Sequence, residues 1–258
     1  AVASYLLHIP VITHEQTHTL GLSNTLIAAI SKKVCVTYPE TLAKISKTKG
    51  VLTGLPIRSG IFSPPARPSF PISHTQIPII YITGGSTGAQ SLNEKLFPDI
   101  AELVKDRIVV HQTGNLSYAK AQTIQSSLGD HSTRYIIAPF FGVEDIAWIY
   151  SHAEIVVGRS GANTVAELSA YQAKAIFIPL PWSGGNEQMV NARSYEKTGN
   201  AIILKQDDFT RASFMAAIHA LLKKKNDNIQ KSRVSQRDGS LNMVRVIDSL
   251  LSSSYERN

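Results

Sequence analysis

Cysteine is almost absent: a single one, Cys35, stands in 258 residues, which excludes an internal disulfide framework and fits a reducing compartment. It lies in an apolar run and reads as an inert buried thiol. Long apolar runs are lacking too, and no stretch approaches the roughly 20 residues of a membrane span. The apolar opening from Ala1 to Pro10 has neither a charged n-region nor a cleavage-site pattern, so it is no secretory signal. No carboxylates stand at D-x-D spacing, which argues against a dedicated divalent metal site. His14-Glu15-Gln16-Thr17-His18 has the spacing of an H-E-x-x-H zinc motif, but it directly follows a strand, where that motif needs both His on one helix face. No metal and no cofactor is called for.

What is present is the composition of a globular protein, 43% hydrophobic and 17% charged, with mean hydropathy near zero. A net charge of +7 and a pI of about 9.4 favour anionic partners such as nucleotides or phospholipid headgroups. The basic residues form no block apart from Lys223-Lys224-Lys225, so nucleic acid is not an expected partner. The chain has no initiator Met and begins mid-pattern. It therefore reads as the downstream part of a longer protein.

From residue 77 onward, β-rich runs (Ile77–Thr83, Arg107–Gln112, Tyr135–Pro139, Glu154–Val157, Ala175–Pro179, Ala201–Leu204) alternate with segments of helical spacing. The helical segments are Ser91–Lys105, Leu116–Leu128, Val143–Ser151, Ala162–Tyr171, Glu187–Thr198 and Thr210–Lys224. Such alternation predicts an α/β fold with a doubly wound parallel sheet, which binds ligands at the carboxyl ends of its strands.

Residues 1–62 read as strands Ile9–Thr13 and Lys33–Thr37 with helices Leu22–Ser31 and Glu40–Lys47, too few strands for a sheet of their own. They are expected to be the tail of an upstream domain, with exposed apolar surface and poor solubility. Residues 63–76, with four prolines between Ser63 and His74, are expected to be a linker. Residues 77–235 then form the main domain, and 236–258 a C-terminal helix and tail.

The most informative run is Gly158-Arg159-Ser160-Gly161-Ala162-Asn163-Thr164-Val165-Ala166-Glu167. A strand, a tight turn and a helix start follow one another within it, and a helix start offers unpaired N–H groups and a positive dipole end to an anion. Glu167 lies about one and a half turns further on, placed for the hydroxyls of a sugar. The combination points to a nucleotide. Thr83-Gly84-Gly85-Ser86-Thr87-Gly88-Ala89 also follows a strand, either as a phosphate cradle or as a tight turn without a ligand. It is neither a P-loop nor a dinucleotide fingerprint. In Pro181 to Ala192, Asn186 is expected to cap a helix and Gln188 to meet sugar hydroxyls, with a capped surface loop as the alternative. Trp182 is a stacking platform or a packing residue. His14-Glu15-Gln16-Thr17-His18 is an acid/base pair, a metal site or a solvated loop.

Taken in order, H-E-Q, G-x-P-x-R, G-G-S-x-G-A-x-x-L-N, R-S-G-A-x-T-x-x-E and E-Q-x-x-N-A resemble the MurG family from about Tyr5 to Leu222. That family transfers N-acetylglucosamine from its UDP donor to lipid-linked muramoyl-pentapeptide in peptidoglycan synthesis. The resemblance implies a GT-B fold of two Rossmann-like domains, with the donor held by the C-terminal one. It also implies that Arg58 and Ser86 contact the diphosphate side, that backbone near Val143 reads the uracil, and that Ala162, Asn163 and Thr164 offer N–H groups to phosphate. Glu167 would take the ribose and Gln188 the sugar. Asn93, Arg159 and Asn191 match further family positions, and His14, Glu15 and Asn24 match acceptor-side ones, with Thr17 at a further sugar-contact position. Thr17 replaces a usual Asn, and Asn186-Glu187 replaces a common Asp-His.

The family's G-x-G-G-H loop, whose His is a candidate base, has no counterpart in these residues. The implied reaction is inverting and metal-independent, with His14 or Glu15 as assisting groups and this stretch of chain inactive by itself. The implied partners are UDP-N-acetylglucosamine, the undecaprenyl-linked acceptor and the inner face of the cytoplasmic membrane, where the protein would be peripheral. The alternatives are a UDP-sugar-binding subunit of a split transferase, or another GT-B enzyme acting on glycolipids or sugar nucleotides.

Overall fold

The computed structural model describes residues 1–72, 76–85, 89–183, 186–224 and 239–255, and it forms two compact units, Ala1–Ile57 with Gln230–Asn258, and Arg58–Ile229.

In the first unit, α1 (Val2–Leu6), β1 (Ile12–Glu15), α2 (Leu22–Ile30), β2 (Lys33–Val36), α3 (Pro39–Leu42) and β3 (Gly50–Leu52) follow in order. The strands form a parallel sheet β1-β2-β3, so this region does have a sheet of its own, contrary to the expectation. The missed strand has only three residues, too few to show an alternating pattern, yet it pairs Gly50–Leu52 with Val34–Val36. That pairing makes β2 central and leaves Val34, Cys35 and Val36 fully buried. Cys35 is a free thiol whose pKa burial raises.

β1 begins at Ile12 rather than Ile9, beyond Pro10, which has no N–H to give a ladder. The helix expected up to Lys47 ends at Leu42, where the N–H groups of Lys44 and Ile45 close onto carbonyls three residues back. That tightening turns the chain toward β3.

In the second unit, β4 (Ile79–Thr83), β5 (Ile108–Gln112), β6 (Tyr135–Ala138), β7 (Ala153–Gly158), β8 (Ala175–Phe177) and β9 (Ala201–Ile203) form one parallel sheet in the order β6-β5-β4-β7-β8-β9. The crossovers carry α4 (Gln90–Leu96), α5 (Ile100–Leu103), α6 (Asn115–Ser127), α7 (Val143–His152), α8 (Ala162–Tyr171) and α9 (Glu187–Glu196). After β9 comes α10 (Arg211–Lys223). This is the doubly wound sheet that the alternation predicts.

The helix expected over Ser91–Lys105 is broken into α4, a 3-10 turn and α5 at Pro98, which lacks the N–H a continuous helix needs. Ile80, Ile82, Val109, Ile155, Val157 and Ile176 of the sheet pack with Leu92, Leu96 and Ile100 and with Phe214, Ile218 and Leu221. Each such side chain contributes roughly 1.5–3 kcal/mol by leaving water. α10 is held at its start by Thr210 and Ser213 in a reciprocal capping box.

The proline-rich segment packs onto the second unit over its described part. Phe70 meets Phe141 and Trp148 edge-on at 5.2 and 5.8 Å. Ser69 donates its N–H to Asp145 Oδ1 at 2.7 Å and its hydroxyl to Oδ2 at 2.5 Å. The last helix, α11 (Gly239–Tyr255), belongs to the first unit, where the Asn242 amide donates to the Thr53 carbonyl at 3.0 Å.

Candidate functional site

The sheet order fixes where a ligand can bind. From β4 the chain builds outward to β5 and β6 on one side, and from β7 to β8 and β9 on the other. The β4/β7 border is therefore the topological switch point, where loops diverge and leave a crevice. The glycine loop leaves β4 and the Gly158–Glu167 run leaves β7, one on each side of it. Thr83 and Gly158 are ladder partners, and a Cβ on Gly158 would lie 2.4 Å from the Thr83 carbonyl oxygen. Only glycine lets these two strand ends approach so closely. Gly85 turns the chain with φ +82°, and its N–H donates to the Thr83 hydroxyl at 3.1 Å. Ser86 lies outside the described residues.

α8 carries the anion-binding geometry. Its N-cap is Gly161, which has no side chain to cap the first turn, and a Cβ on Gly161 would meet nothing within 4 Å. The N–H groups of Ala162, Asn163 and Thr164 thus stand at a helix N-terminus, without a hydrogen-bond partner among the described residues. One and a half turns on, Glu167 Oε1 accepts from Arg58 Nη2 at 3.0 Å and Oε2 accepts from the Tyr150 hydroxyl at 3.2 Å. The Glu167 side chain is 8% exposed and that of Arg58 is 55% exposed. The residues matched to ribose and to diphosphate are thus in direct contact. α7 likewise starts uncapped, at Gly142, and the turn Ser59–Phe62 packs against the Val143 side chain, with a Gly60 Cβ position 3.1 Å from it.

Arg159 does not reach outward. It is buried and donates to the Ile178 carbonyl at 2.8 Å, to the Ser91 hydroxyl at 2.9 Å and to Gln206 Oε1 at 2.7 Å. Burial lowers its pKa, and no carboxylate among the described residues pairs with it. It ties the ends of β7 and β8 to the start of α4 and the turn after β9.

Gln188 is committed at its carbonyl end: Oε1 accepts from the Leu180 N–H at 2.9 Å, and its backbone carbonyl accepts from the Ser160 hydroxyl at 2.7 Å. Asn191 is fully buried, and its amide donates to the Ser160 carbonyl at 3.1 Å. Asn186 occupies the N-cap of α9 but makes no side-chain cap bond. It sits in the left-handed region, φ 57°, which Asn tolerates, and the Ser183 hydroxyl instead accepts from the Gln188 N–H at 3.3 Å. The capping role expected of Asn186 thus falls to Ser183. Trp182 is 86% exposed, so it is not a packing residue.

Asn93 is fully buried in a directional chain. Its Nδ2 donates to the Thr113 carbonyl at 2.7 Å, leaving Oδ1 to accept from His111 Nε2 at 3.0 Å, and His111 Nδ1 then accepts from the Tyr135 hydroxyl at 2.8 Å. Burial pushes the His111 pKa down to about 3, in keeping with a neutral ring. Asn93 holds α4 against β5, and with it the end of the glycine loop.

Sequence reasoning passed over two residues here. Gln112 donates to the Gly85 carbonyl at 3.2 Å and accepts from the Phe141 N–H at 3.1 Å, binding the loops after β4 and β6 together. A buried polar residue at a strand's carboxyl end was its only signal. Tyr150, the partner of Glu167, gave none, because it lies within an apolar helical pattern.

In the first unit, Glu15 is 4% exposed and accepts four hydrogen bonds. The N–H and hydroxyl of Thr17 reach Oε1 at 3.0 and 2.8 Å, and the Gly21 N–H and Asn24 amide reach Oε2 at 2.8 and 3.0 Å. Although burial opposes it, these bonds hold the carboxyl below its usual range. With every lone-pair position used, Glu15 organises the loop and has no place for an incoming proton. Asn24 also donates to the His14 carbonyl at 3.1 Å. His14 lies 3.1 Å through Nε2 from the Gly54 carbonyl, so Nε2 donates and Nδ1 keeps its lone pair; burial lowers its pKa.

Among the described residues, no three His, Cys, Asp or Glu side chains gather as a metal site, and no helix is long and apolar enough to cross a membrane.

Residues 79–247 match the glycosyltransferase family 28 C-terminal domain. The UDP-N-acetylglucosamine–N-acetylmuramyl-(pentapeptide) pyrophosphoryl-undecaprenol N-acetylglucosamine transferase of Clostridium tetani is 32% identical over 96% of this chain and 68% of its own length. The enzyme of that name from Thermodesulfovibrio yellowstonii is 34% identical over 86% of this chain and 61% of its own. The crystal structure of Acinetobacter baumannii MurG superposes with a TM-score of 0.65 at 27% identity, over 97% of this chain and 69% of that one.

Proposed function

The chain belongs to the MurG glycosyltransferases of family 28, with their GT-B fold, and on that premise we propose that it binds UDP-N-acetylglucosamine at the β4/β7 crevice for transfer to a lipid-linked muramoyl-pentapeptide. The observation that carries this reading is the uncapped start of α8, followed by Glu167 one and a half turns in. The diphosphate accepts the N–H groups of Ala162 to Thr164, and the ribose lies against Glu167. Val143 backbone at the start of α7 meets the uracil, and Gln188 offers the sugar its amide nitrogen.

Transfer inverts the anomeric carbon: the acceptor hydroxyl attacks and gives its proton to a base, the glycosidic C–O bond to the diphosphate breaks, and UDP leaves with the electron pair. Charge then grows on the diphosphate, where the helix N-terminus and Arg58 stabilise it without a metal. Arg159 shapes the floor of the crevice rather than touching phosphate. Ser86 is assigned to the diphosphate by the family resemblance alone. Of the acceptor-side pair, His14 keeps a free nitrogen for a proton while Glu15 holds Thr17 and Asn24 in place. The chain works as a peripheral protein on the cytoplasmic face of the membrane, and its net charge of +7 suits an anionic lipid surface.

Calorimetry with UDP and uridine tests the donor site. UDP is expected to bind at least about 10-fold more tightly than uridine, as charge-assisted bonds to a diphosphate require. Equal binding of the two, or none, overturns the assignment.

A further inference from the structure

Glu167 has an inner partner for which the donor reading has no use. A carboxylate offers about four lone-pair positions. Among the described residues, Arg58 takes one on Oε1 and Tyr150 takes one on Oε2, which leaves one on each oxygen. A pair of acceptors divided in this way matches two neighbouring hydroxyls.

The two partners differ in freedom. The Arg58 side chain is 55% exposed and can swing away. Tyr150 is buried on α7, with Tyr81 edge-on at 5.9 Å and Tyr171 tilted at 5.8 Å, and the Tyr171 hydroxyl is itself anchored on the Ile61 carbonyl. Burial, Tyr81 and Glu167 all push the Tyr150 hydroxyl well above its ordinary pKa, so it remains an O–H donor. Without that donor nothing would stop the guanidinium fork from taking both carboxylate oxygens side by side.

We propose that Tyr150 is a positioning residue: it fixes Glu167 so that each oxygen keeps one free acceptor, and thereby makes the site select a nucleotide bearing both ribose hydroxyls over its deoxy form. The proposal rests on the assignment of Glu167 to the donor ribose.

The test titrates the full chain with UDP and 2′-deoxy-UDP, using wild type, Tyr150→Phe and Arg58→Met, with thermal melts to establish folding. Wild type is expected to prefer UDP by about 10-fold, the scale of one hydrogen bond to a charged group. Tyr150→Phe should cut that preference to about 2-fold with 2′-deoxy-UDP affinity nearly unchanged, whereas Arg58→Met should keep it. An equal loss for both nucleotides in Tyr150→Phe, an unchanged preference there, or a loss confined to Arg58→Met contradicts the role of Tyr150. Wild-type chain that binds UDP with no preference refutes ribose selection alone, while failure to bind UDP removes the donor site itself.

Discussion

Two buried glutamates, one in each unit, show how similar groups serve opposite ends. Glu15 closes β1 with four donors on its carboxylate, all from its own loop and the start of α2. Glu167 on α8 has two, one from a fixed tyrosine and one from a half-exposed arginine. A carboxylate with every position filled by its own chain is a structural clasp. One left half-filled beside a helix start is, on the proposed function, the acceptor for ribose hydroxyls. The count of internal donors separates them where residue type and burial do not.

The comparison breaks most visibly at Glu15. Glu15→Ala removes the acceptor of four hydrogen bonds, two of them from backbone N–H groups, and should cost roughly 3 kcal/mol of stability, read as a lower denaturant midpoint, while UDP affinity of the folded protein stays within about 2-fold. A stable variant that lost UDP binding would reverse the two roles. Glu167→Gln is the mirror experiment: about 30-fold weaker UDP binding, for a charged acceptor lost, with stability changed by no more than about 1 kcal/mol because its ion-pair partner is half in water.

Acid acts on both units through buried histidines, most strongly through His111. His111 has a folded pKa of about 3 against 6.5 unfolded, so the unfolded chain gains its proton first and stability falls as pH drops below about 6.5. Linkage gives a loss of about 1.4 kcal/mol at pH 5.5, which His111→Gln should abolish. The lowered pKa of Glu15 has the same sign but acts only as pH falls through the ordinary carboxylate range. Hydrogen exchange at pH 5.5 should therefore show the second unit loosening through His111, and His111→Gln should remove that change while leaving the smaller His14 contribution of the first unit in place. The smallest effect is expected of Thr17→Ala, which removes one side-chain donor of the four and should cost about 1 kcal/mol in thermal or denaturant unfolding.

What the sequence discloses follows from the range of the forces involved. The six strands of the second unit could be read because each is a buried β-rich run bounded by helical spacing. The Gly158–Glu167 run was legible because strand end, turn and helix start lie within ten residues. β3 escaped because three residues carry no period, and the break at Pro98 because apolar spacing runs on through it. The attachment of α11 to the first unit depends on Asn242 reaching Thr53, 189 residues away. For the same reason the Arg58–Glu167 contact, 109 residues apart, could not be seen, although both residues were singled out. The saturation of Glu15 was hidden differently. Its donors are close in sequence, but two are backbone N–H groups, which no side-chain motif displays.

The most direct test is a crystal structure of the full chain with UDP. The account predicts the diphosphate on the N–H groups of Ala162 to Thr164 and both ribose hydroxyls within about 3 Å of Glu167, one per oxygen, with Tyr150 still in place. A nucleotide bound elsewhere, with Glu167 closed on Arg58 and Tyr150 as before, would contradict it.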